Sequence, residues 1–260
     1  MTLPHFFIDE PVTAPLGEVV DLRLDKAVLD HMRTLRLKVG EHIVLVDAPG
    51  HGVELELAEP PSQQMRSVCG LLVRQLFDRI GEQLTLVQGI SASDRMDQTI
   101  RQTTELGIVR IIPLESERST VRLDAAGRAN KTERWRRIAR SAAEQSARLT
   151  EPEITEPVTL PVALKMLASY DGSIIAWEEP GGEPLGEAVR ALAGKVFGNP
   201  RIALFIGPEG GFSRVEADAL RAAGARVVTL GDTILRTETA AVVASALALY
   251  HLGGLGALDA

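Results

Sequence analysis

Ile202-Ala-Leu-Phe-Ile206 runs directly into Gly207-Pro-Glu-Gly-Gly211, and further on Ala225–Leu230 runs into Gly231 and Ile234-Leu-Arg-Thr-Glu-Thr-Ala240. Each apolar run is strand-sized and ends in a glycine-marked loop. Each loop in turn opens a helix. Ser213 with Glu216 three residues later forms a capping box for the first helix, which Gly224 closes. The second helix is the Ala-rich stretch Ala240–Tyr250. Strand, glycine loop, helix, repeated, implies a parallel sheet flanked by helices. In such sheets ligands bind at the carboxyl ends of the strands, between loops of this kind.

The same rhythm extends upstream. Leu84–Gln88 reads as a strand, Asp94–Leu106 as a helix stopped by Gly107, and Val109–Leu114 and Ser173–Trp177 as further strands. The first part of the chain reads differently. Ile43–Val46 and Val53–Leu57 alternate around Ala48-Pro-Gly-His-Gly52, a hairpin signal. A short helix, Asp25–Leu35, precedes them, and Gln63–Leu76 supplies at least one more strand. The sequence therefore predicts a small β-barrel or sheet domain over 1–75 and an α/β domain over 76–260.

The chain has 260 residues, 45% hydrophobic and 24% charged, an ordinary globular composition. Its one cysteine, Cys69, excludes an intrachain disulfide framework. The N-terminus lacks the basic-then-apolar pattern of a signal peptide. The longest apolar stretch, Ala240–Tyr250, falls short of the ~20 residues needed to cross a bilayer. A cytoplasmic protein with no membrane partner is expected. The net charge of −7 argues against nucleic acid at first sight, but it is unevenly spread. Between Arg118 and Arg148 nine basic residues face only Asp124, Glu133 and Glu144. Asn130 with Glu133 suggests a helix start there. Trp135, Ile138, Ala139, Ala142 and Leu149 then share one face. Arg137, Arg140 and Arg148 share another, either a solvated face with a Glu144–Arg148 pair or one that meets phosphates.

The glycine loops set the ligand chemistry. Gly207, Gly210 and Gly211 admit close backbone approach, yet no Lys-Ser or Lys-Thr follows, and Glu209 repels a triphosphate, so this is not a P-loop. No Gly-x-Gly-x-x-Gly occurs. A carboxylate among free amides suits an adenosine-bearing ligand without phosphate, above all a cation. S-adenosylmethionine fits that description. No Ser-His-Asp or Cys-His set is apparent, and the five histidines show no metal-ligand spacing, so no metal is expected.

These residues are also recognisable. The chain resembles the RsmE family of 16S ribosomal RNA uracil-N3 methyltransferases, within the SPOUT superfamily of knotted methyltransferases. The resemblance runs through Ile206-Gly-Pro-Glu-Gly-Gly-Phe-Ser213, Leu230-Gly231 and Ile234-Leu-Arg-Thr-Glu-Thr-Ala240. It continues in Thr104-Glu-Leu-Gly107, Glu117-Arg-Ser119, Arg134-Trp135, Ala143-Glu-Gln-Ser146 and, near the N-terminus, Leu35-Arg-Leu-Lys-Val-Gly40. It implies an N-terminal PUA-like β-barrel that binds RNA, a C-terminal SPOUT α/β domain with a deep trefoil knot, and a homodimer. It implies S-adenosyl-L-methionine as cofactor, held by Leu204, Ile206, Gly207, Pro208, Glu209, Gly210, Gly211, Leu230, Gly231, Ile234, Leu235, Thr239 and Ala240. The implied partner is 16S rRNA in the small ribosomal subunit, methylated at one uridine (position 1498 of that RNA). Arg33, Arg36, Lys38, Arg118, Arg137, Arg140 and Arg148 are then candidate RNA contacts.

Methylation at N3 requires loss of the N3 proton. Arg236 is the candidate for stabilising the anionic ring or orienting the RNA, and its guanidinium stays protonated, so it is no base. Glu238 is either that base or an acidic residue favoured by the macrodipole in a first helical turn. The sequence departs from the family pattern at His5, Asp30, Ala92 and Gln102, all in parts attributed to RNA contact or its support. Two other readings stay open at the level of sequence. One is a SPOUT enzyme acting on a different RNA nucleotide. The other is a non-catalytic RNA-binding or ribosome-assembly protein.

Overall fold

Alternate residues of Arg201–Ile206 face opposite sides of a sheet, and neither side is wet. Ile202, Leu204 and Ile206 enter one apolar core, Ala203 and Phe205 another. A strand covered on both faces reads as one continuous apolar run, as this one does. The computed structural model describes residues 2–60, 66–78, 83–178 and 181–255. Two compact units divide the chain: Met1–Ile80 with Ala143–Glu151, and Gly81–Ala142 with Pro152–Ala260.

The first unit contains β1 (His5–Phe7), β2 (Val19–Arg23), α1 (Lys26–Thr34), β3 (His42–Ala48), β4 (His51–Leu57) and β5 (Ser67–Phe77). Its sheet has the order β1-β3-β4-β5-β2, with β1 parallel to β3 and the other pairs antiparallel. No β1–β2 pairing closes this sheet among the described residues. Pro49 and Gly50, the latter at φ +77°, turn the hairpin between β3 and β4. The first three residues of the strand expected over Gln63–Leu76, through Met65, lie outside the described residues. Phe6, Met32, Ile43, Leu45, Leu55 and Leu72 fill the core of this unit. Ala143 and Leu149 join Phe7, Val44 and Val46 in a second cluster, which is why Ala143–Glu151 groups with residues far earlier in the chain.

The second unit follows the order β6 (Gln83–Gly89), α2 (Ser93–Leu106), β7 (Arg110–Glu115), α3 (Ala125–Gln145), β8 (Glu153–Ile154), β9 (Val158–Thr159), α4 (Leu160–Met166), β10 (Gly172–Ala176), β11 (Glu183–Pro184), α5 (Leu185–Ala193), β12 (Arg201–Ile206), α6 (Arg214–Ala222), β13 (Arg226–Thr229) and α7 (Thr237–Leu252). All its strand pairs are parallel, in the order β11-β13-β10-β12-β6-β7-β8, with β9 beside β7. Met96 and Ile100 of α2, Val189 of α5 and Ala241, Ala244 and Ala248 of α7 cover one face. Ala163 of α4 and Ala217 and Leu220 of α6 cover the other. This is the three-layer α/β arrangement the sequence predicts.

One expectation is corrected. The helix expected to start at Asn130 starts at Ala125, because Asp124 is the earlier cap: its Oδ1 accepts the Gly127 N–H at 2.7 Å. Asn130 and Glu133 lie inside the helix. The helix stops at Gln145, and Ala147 takes a left-handed φ of 58°. Leu149 and Arg148 therefore leave the helical faces assigned to them, and no helical i,i+4 relation links Glu144 to Arg148.

Candidate active site

Two adjacent parallel strands, β10 and β12, deliver their carboxyl ends to one cleft of about 370 Å³. Ala176 and Glu178 come from β10 and the residues after it, and Ile206 to Phe212 from the end of β12 and its loop. Ile234 to Glu238 and Ala240 come from the approach to α7 and its first turn. Arg95 of α2 completes the wall.

Close backbone packing shapes the cleft. A Cβ on Gly89, at the end of β6, would collide with the Pro208 ring. Gly211 sits at φ +66°, and a Cβ there would lie 2.7 Å from Glu178 Oε1. Only glycine fits such a position without strain. Gln88 is fully buried and fastens the loops together. Its Nε2 donates to Thr237 Oγ1 at 2.9 Å and to the Gly89 carbonyl at 3.0 Å, while the Thr237 hydroxyl donates to the Gly207 carbonyl at 2.6 Å. The capping box is formed: Ser213 Oγ accepts the Glu216 N–H, and Glu216 Oε2 accepts the Ser213 N–H. Glu216 also accepts from the Ser116 hydroxyl at 3.0 Å and the Glu117 N–H at 2.8 Å, and Arg118 donates to the Gly210 carbonyl at 3.1 Å.

Three carboxylates and two guanidinium groups line the cleft. Glu209 Oε1 accepts the Ala92 N–H and Arg95 Nη1, each at 2.8 Å. Burial pushes the Glu209 carboxyl up, but those hydrogen bonds, that of its own amide and the charge of Arg95 together outweigh it and hold the group below its ordinary range. Glu238, in the first turn of α7, is buried; its Oε2 has no hydrogen-bond partner among the described residues and lies 3.9 Å from Arg95 Nε. Arg236 is exposed at the N-cap of α7.

Of the residues anticipated around the cofactor, Ile206, Gly207, Pro208, Glu209, Gly210, Gly211, Ile234, Leu235 and Ala240 line the cleft, as do Arg236 and Glu238. Leu204 has no exposed surface and lies in the core, Leu230 packs partly buried against that core, and Gly231 and Thr239 are exposed outside the lining. Arg95, Ala176, Glu178, Phe212 and Thr237 line the cleft without having been anticipated. Phe212 and Thr237 lie within the quoted motifs, so contiguity with the anticipated residues was a usable signal for them. Arg95, Ala176 and Glu178 come from distant stretches and had none.

The basic candidates divide between the units. Arg33, Arg36, Lys38 and Arg148 belong to the first, and Arg118, Arg137 and Arg140 to the second. Arg33 pairs with Asp30 at 2.6 Å, whereas Arg36, Lys38, Arg118 and Arg137 are exposed. Arg148 is half-buried, and burial lowers its pKa more than Asp78 raises it. Of the departures from the family pattern, His5 is buried, Ala92 supplies the amide that holds Glu209, and Gln102 meets Gln98 at 3.3 Å. Cys69 is half-buried on β5, and among the described residues no group of three potential ligands could hold a metal. No helix among them is long and apolar enough to cross a membrane.

Comparison with known proteins fixes the class first. Residues 79–249 match the family model described as an RNA methyltransferase domain. The ribosomal RNA small subunit methyltransferase E of Bacillus subtilis is 28% identical over 222 residues, 85% of this chain and 86% of the relative. That of Mycobacterium bovis is 30% identical over 232 residues, 88% and 83% of the two chains. Among solved structures, the Neisseria gonorrhoeae methyltransferase E bound to S-adenosylmethionine superposes with a TM-score of 0.78 at 30% identity, covering 96% of this chain and 98% of that one. A Legionella pneumophila methyltransferase solved with the same cofactor gives 0.79 at 26%, with the same coverage. The chain belongs to the ribosomal RNA small subunit methyltransferase E family.

Proposed function

We propose that this chain methylates N3 of one uridine in 16S ribosomal RNA, using S-adenosylmethionine. The cleft carries the reading: a glycine loop brought close by packing, with the Glu238 carboxylate in its wall and an exposed arginine at its rim. The residues suit the cofactor. Ile206, Ile234, Leu235 and Ala240 offer apolar walls, and the Gly207 and Gly210 amides offer donors to an adenine. The cleft's three carboxylates against two arginines favour a cation over a polyphosphate.

When bound, the cofactor supplies an electrophilic methyl on a sulfonium sulfur. The chain's task is to make N3 nucleophilic. The Glu238 carboxylate, which lines the cleft from the first turn of α7, takes the N3 proton. Arg236 places a permanent positive charge where the uracil ring becomes anionic. The loops hold the two reactants in register.

The finer architecture belongs to the same proposal. Helix α1 and the mixed sheet of the first unit support a PUA-like RNA-binding module with Arg33, Arg36 and Lys38. The tight crossing of Gly89 and Pro208 supports a knotted path around the cleft. The exposed Leu247 and Tyr250 of α7 support a homodimer. Small subunits from a strain lacking this gene, incubated with the protein and labelled donor, test the function. A methyl on N3 blocks base pairing, so reverse transcription is expected to stop at a single uridine of 16S rRNA. Label incorporated without a stop would point to another nucleotide position or a ribose hydroxyl. No label would remove the enzyme reading.

A further inference from the structure

Several arginines of this chain are neutralised where they stand: Arg74, Arg128, Arg134 and Arg226 bind the carboxylates of Glu54, Glu115, Asp97 and Glu183. Arg118 and Arg122, in the loop between β7 and α3, are exposed and differ from these. Among the described residues neither binds a carboxylate, and their hydrogen bonds all end on backbone carbonyls. Arg118 Nη1 donates to the Gly210 carbonyl at 3.1 Å. Arg122 Nη1 and Nη2 donate to the carbonyls of Ser116 and Glu117, at 3.3 and 2.8 Å. A carbonyl fixes a guanidinium in place without cancelling its charge. Each guanidinium has five N–H donors, so both keep several for a ligand.

The loop that carries them is fastened at both ends. Glu216 accepts from the Ser116 hydroxyl and the Glu117 amide, and the Ser119 N–H donates to the Ser116 carbonyl at 3.1 Å. Ser119 is buried, and Val121 and Leu123 pack against the core on either side of Arg122. Side chains already held in this way lose little further freedom when a partner binds. The acidic neighbours are Glu117, which is exposed, and Asp124, whose Oδ1 is spent on the Gly127 amide. Glu115 is taken by Arg128, and Glu209 by Arg95 and the Ala92 amide. The position also matters. β7 runs parallel to its neighbours and ends at Glu115, at the same edge of the sheet where β12 ends and the cleft opens. Gly210 lines that cleft, and a Cβ on it would lie 3.1 Å from Arg118 Cβ.

We propose that Arg118 and Arg122 form a phosphate clamp, which grips the RNA backbone beside the uridine presented to the cleft. The inference rests on RNA being the substrate. Sequence alone points to Arg118 and says nothing of Arg122. The Glu117 carbonyl belongs to the peptide bond that leads into Arg118, and it brings the Arg122 guanidinium alongside. Arg118, braced on the Gly210 carbonyl, sets the clamp against the loop that faces the donor. Contacts to phosphate fix the register of a nucleic acid and carry no base information. The clamp therefore holds the RNA in place without choosing which uridine is methylated.

The test follows binding of the protein to unmethylated small subunits over a series of monovalent salt concentrations. Each phosphate neutralised contributes a slope of about −0.7 to −0.9 in log affinity against log salt. Arg118→Gln and Arg122→Gln are each expected to flatten the slope by about that amount and to weaken binding about fivefold at physiological salt. The double variant flattens it about twice as far, and the reverse-transcription stop stays at the same uridine. Arg122→Lys keeps the charge but not the two-carbonyl grip, and retains the wild-type slope. Arg201→Gln serves as control, because Arg201 is exposed at the amino end of β12, away from the cleft, and its loss leaves the slope unchanged. Wild-type protein without salt-dependent binding to subunits removes the RNA reading, and the inference with it. Steep wild-type binding with an unchanged slope in either glutamine variant overturns the clamp alone. So does an Arg122→Lys slope as flat as that of Arg122→Gln, since Arg122 would then brace its loop rather than meet phosphate.

Discussion

Arg236 presents an exposed guanidinium at the cleft, and its side chain forms no hydrogen bond or ion pair among the described residues. A structural arginine in this chain looks otherwise: Arg128 and Arg134 are pinned to carboxylates. Replacing Arg236 by Ala should therefore leave the fold and donor affinity unchanged within about twofold while lowering methyl transfer by about 100-fold, the scale of a lost electrostatic group. Calorimetry with S-adenosylmethionine and single-turnover transfer check the two halves separately, and equal activity in the variant would remove Arg236 from the mechanism. Arg236 and Glu238 were legible in the sequence because they share one contiguous motif with the cleft's wall. Gln88, Arg95 and Glu178 were not, since what matters about each is a neighbour distant in sequence and close in space. Nothing local marks Gln88 as the residue that joins Gly89 to Thr237.

At the scale of elements, local chemistry was readable wherever one capping signal had no competitor. Ser213-x-x-Glu216 opens α6 as expected, and Gly107, left-handed at φ 109°, ends α2 as expected. The start of α3 was misread because two capping signals lie close together, Asp124 before Gly127 and Asn130 before Glu133. The first wins by allowing the longer helix, which buries Trp135 and Ala139 in the core either way. The box at α6 also does more than cap, since Glu216 ties the residues after β7 to the helix that follows the glycine loop. Ser213→Ala should thus cost about 1 kcal/mol, an ordinary cap. Glu216→Ala should cost clearly more, because it also strands the buried Ser116 hydroxyl and the Glu117 amide. Urea denaturation of both variants checks this, and equal losses would mean that the tie to the β7 loop contributes nothing.

At the scale of the molecule, the net charge of −7 does not decide the partners, because binding to phosphates depends on the surface that meets them. The sequence separated a β-rich N-terminal region from an α/β region, each from its own hydrophobic period. It could not reveal that Ala143–Glu151 belongs with the first unit, since that depends on Leu149 finding Phe7 and Val44. The same unit holds a group with a consequence for the whole chain. His5 is buried in β1, its Nδ1 2.8 Å from the Leu3 carbonyl. Burial lowers its pKa below the ordinary 6.5, more than the Leu3 hydrogen bond and the Asp78 charge raise it. Above that value the imidazole is neutral whether the chain is folded or not, and pH has no leverage through it. As pH falls below 6.5, the unfolded chain takes up a proton that the folded chain resists, so stability declines with acidity. The thermal midpoint of the wild type should therefore fall more steeply in this window than that of His5→Gln. Midpoints recorded for both proteins over a series of mildly acidic buffers decide the matter, and parallel curves would show that His5 is protonated as readily inside the fold as outside it.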